Sequence, residues 1–173
     1  FPADLAGSIT VCDVVGNLVH RDVLREDGPT FKASRSPSES TREFFASSDR
    51  AFRPVGLEPG PDGALYLIDM QRDVIEHPDY IPEKVKARLN LRAGEDRGRI
   101  YRLLPKTGLP AVASPSRLAA KDWVERLGDA NPWWRFTAQR WLVERNDASI
   151  AAAIRDYARS TAQPVGRLHA YWT

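Results

Sequence analysis

Cysteine is almost missing from this chain of 173 residues. Cys12 stands alone, so no disulfide can form within the chain. Its surroundings, Thr10-Val11-Cys12-Asp13-Val14, are not a Cys-x-x-Cys-His haem attachment. They read as a strand carrying a small buried hydrophobe. Histidine is scarce too: His20, His77 and His169 are dispersed and match no zinc-ligand spacing. No apolar run approaches the roughly 18 residues of a membrane span. Neither charge sign dominates: the formal net charge is +2, which gives no electrostatic basis for a dedicated nucleic-acid binder. The opening Phe1-Pro2-Ala3-Asp4 lacks an initiator Met and does not read as a secretory signal.

What is present suffices for a core, since 42% of the residues are hydrophobic. Residues 8–15 alternate as a strand, Gly16-Asn17 signals a two-residue turn, and Leu18 to Leu24 reads as the returning strand. Glu26-Asp27-Gly28-Pro29 marks another turn before a short strand from Thr30 to Arg35. Ser34 to Ser48 is Ser-rich and reads as a loop anchored only by Phe44-Phe45. Gly60-Pro61-Asp62-Gly63 is a tight turn feeding Leu65-Tyr66-Leu67-Ile68, whose two apolar faces predict a strand buried on both sides. Arg97-Gly98-Arg99-Ile100-Tyr101-Arg102-Leu103 supplies its partner strand. Between them lies an insertion from Met70 to Asp96, about 27 residues long, with a short helix near residues 82–89. A connection of that length is often functional and suits a lid or wall.

After residue 104 the period changes. Residues 105–115 read as a linker, with Gly108, Pro110 and Pro115. Ser116 is expected to cap a helix ended by Gly128, Asn131-Pro132 to open a second, Asp147 a third, and Pro164 a fourth. Short amphipathic helices in antiparallel pairs suit a HEAT-like solenoid.

The central motif, Gly60 to Asp69 followed by Asp69-Met70-Gln71-Arg72-Asp73-Val74-Ile75-Glu76-His77-Pro78, resembles the C-terminal blade of glucose/sorbosone dehydrogenase-like β-propellers. The version here is most similar to the planctomycete-type membrane-bound dehydrogenase family. The resemblance seen from sequence spans almost the whole chain and predicts a fragment. It implies about two antiparallel propeller blades over residues 1–104, a linker over 105–115, and an all-α HEAT-like segment over 116–173. Blades upstream and repeats downstream are expected to be missing.

The same resemblance implies a parent that oxidises a sugar or polyol with pyrroloquinoline quinone (PQQ) and calcium. Electrons would pass to a cytochrome c domain of the same parent, with haem c in that absent domain. An extracytoplasmic or periplasmic location follows from the family. The catalytic base would belong to an early blade and maps onto no residue here, so the fragment itself is expected to be inactive. Arg53, at a blade entry, would meet a quinone or substrate carboxylate. His77, beside Glu76 in the insertion, could serve the cofactor site, and Asp69, at a strand end, an ion. Each also has a plainer reading as a loop-fixing residue, and Asp62 is a turn residue.

Lys84, Lys86, Arg88 and Arg92 form a basic stripe with only Tyr80 interleaved, which suits a solvated face rather than RNA or DNA. Trp133-Trp134 suggests a sugar platform, but the helical spacing of Trp134 and Trp141 favours packing. Two further functions stay open beside the dehydrogenase: a non-catalytic scaffold binding glycans or protein partners, and a lactonase-type hydrolase around a carboxylate-bound calcium.

Overall fold

A computed structural model describes residues 5–109, 111–112 and 114–173. The Phe1–Asp4 opening and Pro110 of the expected linker lie outside the described residues. The chain divides into two compact units: Phe1–Glu58 with Leu65–Lys106, and Pro59–Ala64 with Thr107–Thr173.

The first unit holds two antiparallel sheets. One contains β1 (Ser8–Asp13), β2 (Leu18–Asp27) and β3 (Thr30–Arg35) in that order, with β4 (Phe45–Ala46) also pairing β2. The other contains β5 (Pro54–Pro59), β6 (Leu65–Asp69) and β7 (Arg99–Leu103). Strand β1 ends at Asp13, earlier than the alternation suggests. Its carboxylate accepts from Val15 N at 2.9 Å and Gly16 N at 2.7 Å, which bends the chain into a four-residue turn. Asn17 closes that turn at φ 57°.

The core of this unit is Val19, Phe52 and Leu67, with Phe45 and Tyr101 ringed around Phe52 at centroid distances of 5.6 and 6.2 Å. The β6–β7 register sets Leu67 opposite Tyr101 and Ile68 opposite Ile100. Leu67 is wholly buried, whereas Ile68 and Ile100 are exposed. The expectation of a strand buried on both faces is therefore corrected: only the Leu67 face is covered.

The polar loop after β3 also carries more than its two phenylalanines. Glu39 is buried and takes a forked set of bonds from Arg21, at 2.8 to 3.1 Å. Nearby, His20 lies between two carboxylates: Nδ1 is 2.8 Å from Glu43 and Nε2 is 3.1 Å from Asp22. Arg35 holds the other oxygen of Glu43 at 2.8 Å.

In the second unit, α2 (Ala120–Arg126), α3 (Pro132–Arg145), α4 (Ala151–Ser160) and α5 (Pro164–Tyr171) share one core around Trp123, Leu127, Trp134 and Leu142. The expected Ser116 cap is not used. Residues Pro115–Arg117 form a 3-10 turn, and the Asp122 carboxylate receives Ala119 N at 2.8 Å to start α2. Asn131 caps α3 through Trp133 N at 2.9 Å, with Pro132 at the first helical position. The turn 59–64 belongs to this unit: Trp134 Nε1 donates to Pro61 O at 2.9 Å and Asn131 Nδ2 to Gly60 O at 2.8 Å.

These elements overturn the expected fold class. A β-propeller fragment of about two blades followed by a HEAT-like segment is not what the chain forms. Two small sheets of seven strands in all and five helices make a mixed α/β fold, with no closed barrel or propeller among the described residues. The second sheet has three strands rather than a blade's four. The four longer helices differ in length, from 7 to 14 residues, and share a single core, so they do not build a repeating series.

Gly166 in α5 faces Tyr157 and the backbone of Gly128. An added Cβ would stand 2.6 Å from Tyr157 Oη and 3.0 Å from Gly128 Cα. Gly166→Ala should lower stability by about 1–3 kcal/mol in urea unfolding, because backbone cannot yield as a side chain does. An unchanged midpoint would contradict this close approach.

His20 gives a pH prediction. The Glu43 hydrogen bond, with Asp22 assisting, raises its pKa above the ordinary imidazole value. Its contribution to stability is then fully present below the unfolded pKa of about 6.5 and is lost as pH rises through the folded pKa. His20→Gln should flatten this loss when unfolding midpoints are compared between about pH 5.5 and 8.5.

A polar cleft built by the insertion

The first unit's insertion does not hang free. Arg72 N donates to Ala51 O at 2.9 Å and Asp73 N to Ala93 O at 3.3 Å, which ties both ends of the insertion to the segment before β5 and to each other. Within it lie a 3-10 turn at Pro78–Tyr80 and the short α1 (Glu83–Lys86). Gly94 sits at φ +87°, and a Cβ there would collide with the carbonyl oxygen of Gln71. Only glycine lets the returning segment of the insertion lie so close.

Arg53 and Asp69 form the node from which this arrangement hangs. Arg53 is 9% exposed. Its Nε donates to Arg72 O at 2.8 Å, Nη1 to Val14 O at 2.6 Å and Nη2 to Asp73 O at 3.0 Å. Its backbone N–H goes to Asp69 Oδ1 at 2.8 Å, and the same oxygen accepts Gln71 N at 2.9 Å. Asp69 is 1% exposed, and its Oδ2 makes no hydrogen bond, with Arg99 Nε 3.7 Å away. His77 lies elsewhere, exposed on the insertion. Its Nδ1 accepts from Asp79 N at 3.3 Å, and its ring meets Tyr80 at 5.7 Å.

The three residues suggested by sequence as a quinone and calcium site therefore do not make a cradle. The guanidinium of Arg53 is spent on main-chain carbonyls, so it offers no free fork to a quinone carboxylate. His77 caps its own turn. Asp69 could give an ion a single buried oxygen. Calcium takes about six to eight oxygens, and no group of three or more His, Cys, Asp or Glu among the described residues is placed for a metal. No step through these groups is derived.

What the node does build is a cleft of about 650 Å³. It is lined by Asp49, Ala51, Gln71 and Asp73 together with Asn90 and residues 92–97 of the insertion. Gln71 is held at φ +52°, a left-handed conformation that a residue with a Cβ adopts at some cost, and it is 6% exposed. Its Nε2 donates to Asp49 Oδ2 at 3.2 Å, while its Oε1 is buried without a hydrogen-bond partner. Asp49 Oδ1 accepts Ala51 N at 2.9 Å. That backbone bond, then the Gln71 amide, holds the Asp49 carboxyl below its ordinary range. Arg92, also in the lining, grips Glu95 at 2.6 Å.

A profile for a domain of unknown function, DUF7133, matches residues 1–107. The chain belongs to this family. Every wall residue of the cleft lies inside the DUF7133 match, whereas α2 to α5 lie beyond it. Comparison with curated proteins found no match, and comparison with solved structures found none either.

Sequence reasoning marked the insertion of this DUF7133 chain as functional but passed over Asp49, Gln71 and Gly94. Asp49 lies in a polar loop with no local pattern. A signal for the other two existed only in hindsight: Gly94 sits beside the Arg92 and Glu95 charges, and Gln71 directly follows the strand end. Neither spacing reveals that the two backbones touch.

Asp69→Ala would strand the buried N–H groups of Arg53 and Gln71. Each lost partner costs about 1–3 kcal/mol, so urea unfolding should show a loss of about 2–6 kcal/mol. Asp69→Asn, which keeps an acceptor oxygen, should recover most of it. A loss below about 1 kcal/mol for the alanine would remove Asp69 from the node.

Proposed function

We propose that this chain is a binding module, not itself catalytic, whose cleft recognises a polyhydroxylated small molecule of the sugar or polyol class. The carrying observation is the cleft itself: its lining contains both hydrogen-bond acceptors, such as Asp49 and Asp73, and the donors Arg92 and Arg97. A polyol presents hydroxyls that both donate and accept, so it needs a wall of mixed character. The only side chains there without a polar group are Ala51 and Ala93, which gives a lipid or aromatic ligand little to bury against.

The resemblance of the Gly60–Pro78 motif to sugar dehydrogenases supports the same ligand class. In that reading the segment would deliver or retain substrate for a larger sugar-oxidising protein, and the oxidation would belong to parts of the parent beyond this segment. The fixed backbone at Gln71 and Gly94 supports a site formed in advance, which lowers the ordering cost of binding.

Saturation-transfer NMR with glucose and sorbitol should show contact with a Kd of about 1–10 mM, as expected for a shallow polar site. Hexanediol, with two hydroxyls, should give little transfer. Asp73→Ala should weaken the glucose signal without changing the far-ultraviolet circular dichroism. Equal transfer from hexanediol and glucose, or none from either sugar, would sink the reading.

A further inference from the structure

The helical unit leaves one side of α3 and α5 apolar and open. Trp134, Ala138 and Leu142 are the buried residues of α3, and Gly166, His169 and Ala170 those of α5. Away from them, α3 carries Phe136 and Val143, and α5 carries Val165, Leu168, Tyr171 and Trp172, all exposed. Phe136, Leu168, Tyr171 and Trp172 are between 55% and 73% exposed. Steps of three, four or seven residues keep Phe136 with Val143, and Val165 with Leu168 and Trp172, on one side of each helix. The two stripes adjoin. His169 Nδ1 donates to Gln139 Oε1 at 2.8 Å, Gln139 Nε2 donates to Trp172 O at 3.3 Å, and the Phe136 ring meets the His169 ring edge-on at 5.1 Å. The Gln139 amide is thereby spent inside the seam, and the outer surface of the seam is apolar.

The size of this face bears on what covers it. An aromatic side chain offers roughly 150–250 Å². At these exposures the three aromatics leave about 400 Å² open, and Val143, Val165 and Leu168 bring the total to about 600 Å². That is the upper end of the largest apolar patch on an ordinary monomer, about 300–600 Å². Two such faces placed together remove about 1,200 Å² from water, which is where specific interfaces begin. The charges beside the patch are complementary to a copy of themselves. Arg140 and Glu144 lie one turn apart on α3, flanking Val143. Their side chains are 71% and 70% exposed, and Arg140 Nε stands 3.9 Å from Glu144 Oε1, too far for a hydrogen bond. A two-fold axis crossing α3 near these residues sets Arg140 against Glu144 of a second copy, and the reverse.

We propose that this face joins two copies of the chain in an isologous dimer, with α3 antiparallel to α3 of the second copy and the α5 aromatics closing over the joint. The rings supply the buried area, and the reciprocal Arg140–Glu144 pairs set the register. No residue of the cleft takes part, so the dimer and the sugar reading stand or fall separately.

Sedimentation equilibrium of the full chain at about 1–200 μM and low salt should show monomer and dimer with a Kd of about 10–100 μM, as suits an interface at the lower size limit. Leu168→Asp should stay monomeric throughout with an unchanged far-ultraviolet circular dichroism. Trp172→Ser repeats that test in case the new charge disturbs α5. Glu144→Arg should weaken the dimer about tenfold, since two reciprocal pairs become repulsive. Adding Arg140→Glu should restore it, because the swapped pairs form again across the axis. A chain that is monomeric at about 200 μM would overturn the proposal. A dimer left intact by both Leu168→Asp and Trp172→Ser would place the contact on another face and overturn it too. Assembly beyond two copies would break the two-fold. A dimer indifferent to both charge variants would overturn the antiparallel pairing of α3.

Discussion

The first unit depends on one guanidinium. Arg53 places its three donor nitrogens on three carbonyls from two separate stretches of chain, Val14 in one and the consecutive Arg72 and Asp73 in the other. Those stretches are the turn after β1 and the start of the insertion. A buried cation without such partners would be far too costly to hold, so its burial and its three bonds are a single fact. Asp69 completes the arrangement by accepting the backbone N–H groups of Arg53 and Gln71 on one oxygen. The end of β6, the entry to β5 and the insertion are thereby fixed to each other before any side chain of the cleft is considered.

The left-handed backbone at Gln71 follows from that node. The N–H of Gln71 is drawn to Asp69, the carbonyls of Arg72 and Asp73 are drawn to Arg53, and the chain must turn sharply between them. Gly94 then lies flat against the Gln71 carbonyl because it has no Cβ. The strain at Gln71 is local and is offset by the bonds on either side of it. The polar cleft is the space left when a long insertion is pinned at both ends in this way. Asp49 holds the amide nitrogen of Gln71 in the lining, and the amide oxygen stays buried without a donor.

Much of the local structure was legible in the residues. Asn131-Pro132 marks the start of α3, Pro164 that of α5, and Gly28-Pro29 the turn between β2 and β3, because capping and turn chemistry depend on neighbours only. Where local signals competed, the reading slipped. Ser116 looked like a cap, yet Asp122, three residues on, captured the Ala119 N–H, and the helix starts later. The alternation of Leu65 to Ile68 suggested two covered faces, yet Ile68 and Ile100, paired on the other face of the second sheet, stay exposed. Hydrophobicity records that a face can be buried, not that a partner exists to bury it.

The sequence by itself determined β1 to β3, β6, β7 and the four longer helices as element types, the insertion between β6 and β7, and the absence of a disulfide within the chain. These rest on residue identity and short spacings. The tertiary structure alone decided the architecture, two small sheets and a helical core in place of propeller blades and repeats, because strand count and closure depend on long-range pairing that no local pattern encodes. It also decided what Arg53, Asp69 and His77 do. A free arginine and one spent on three carbonyls look the same in a sequence. Their chemistry differs only through the partners that folding brings within about 3 Å.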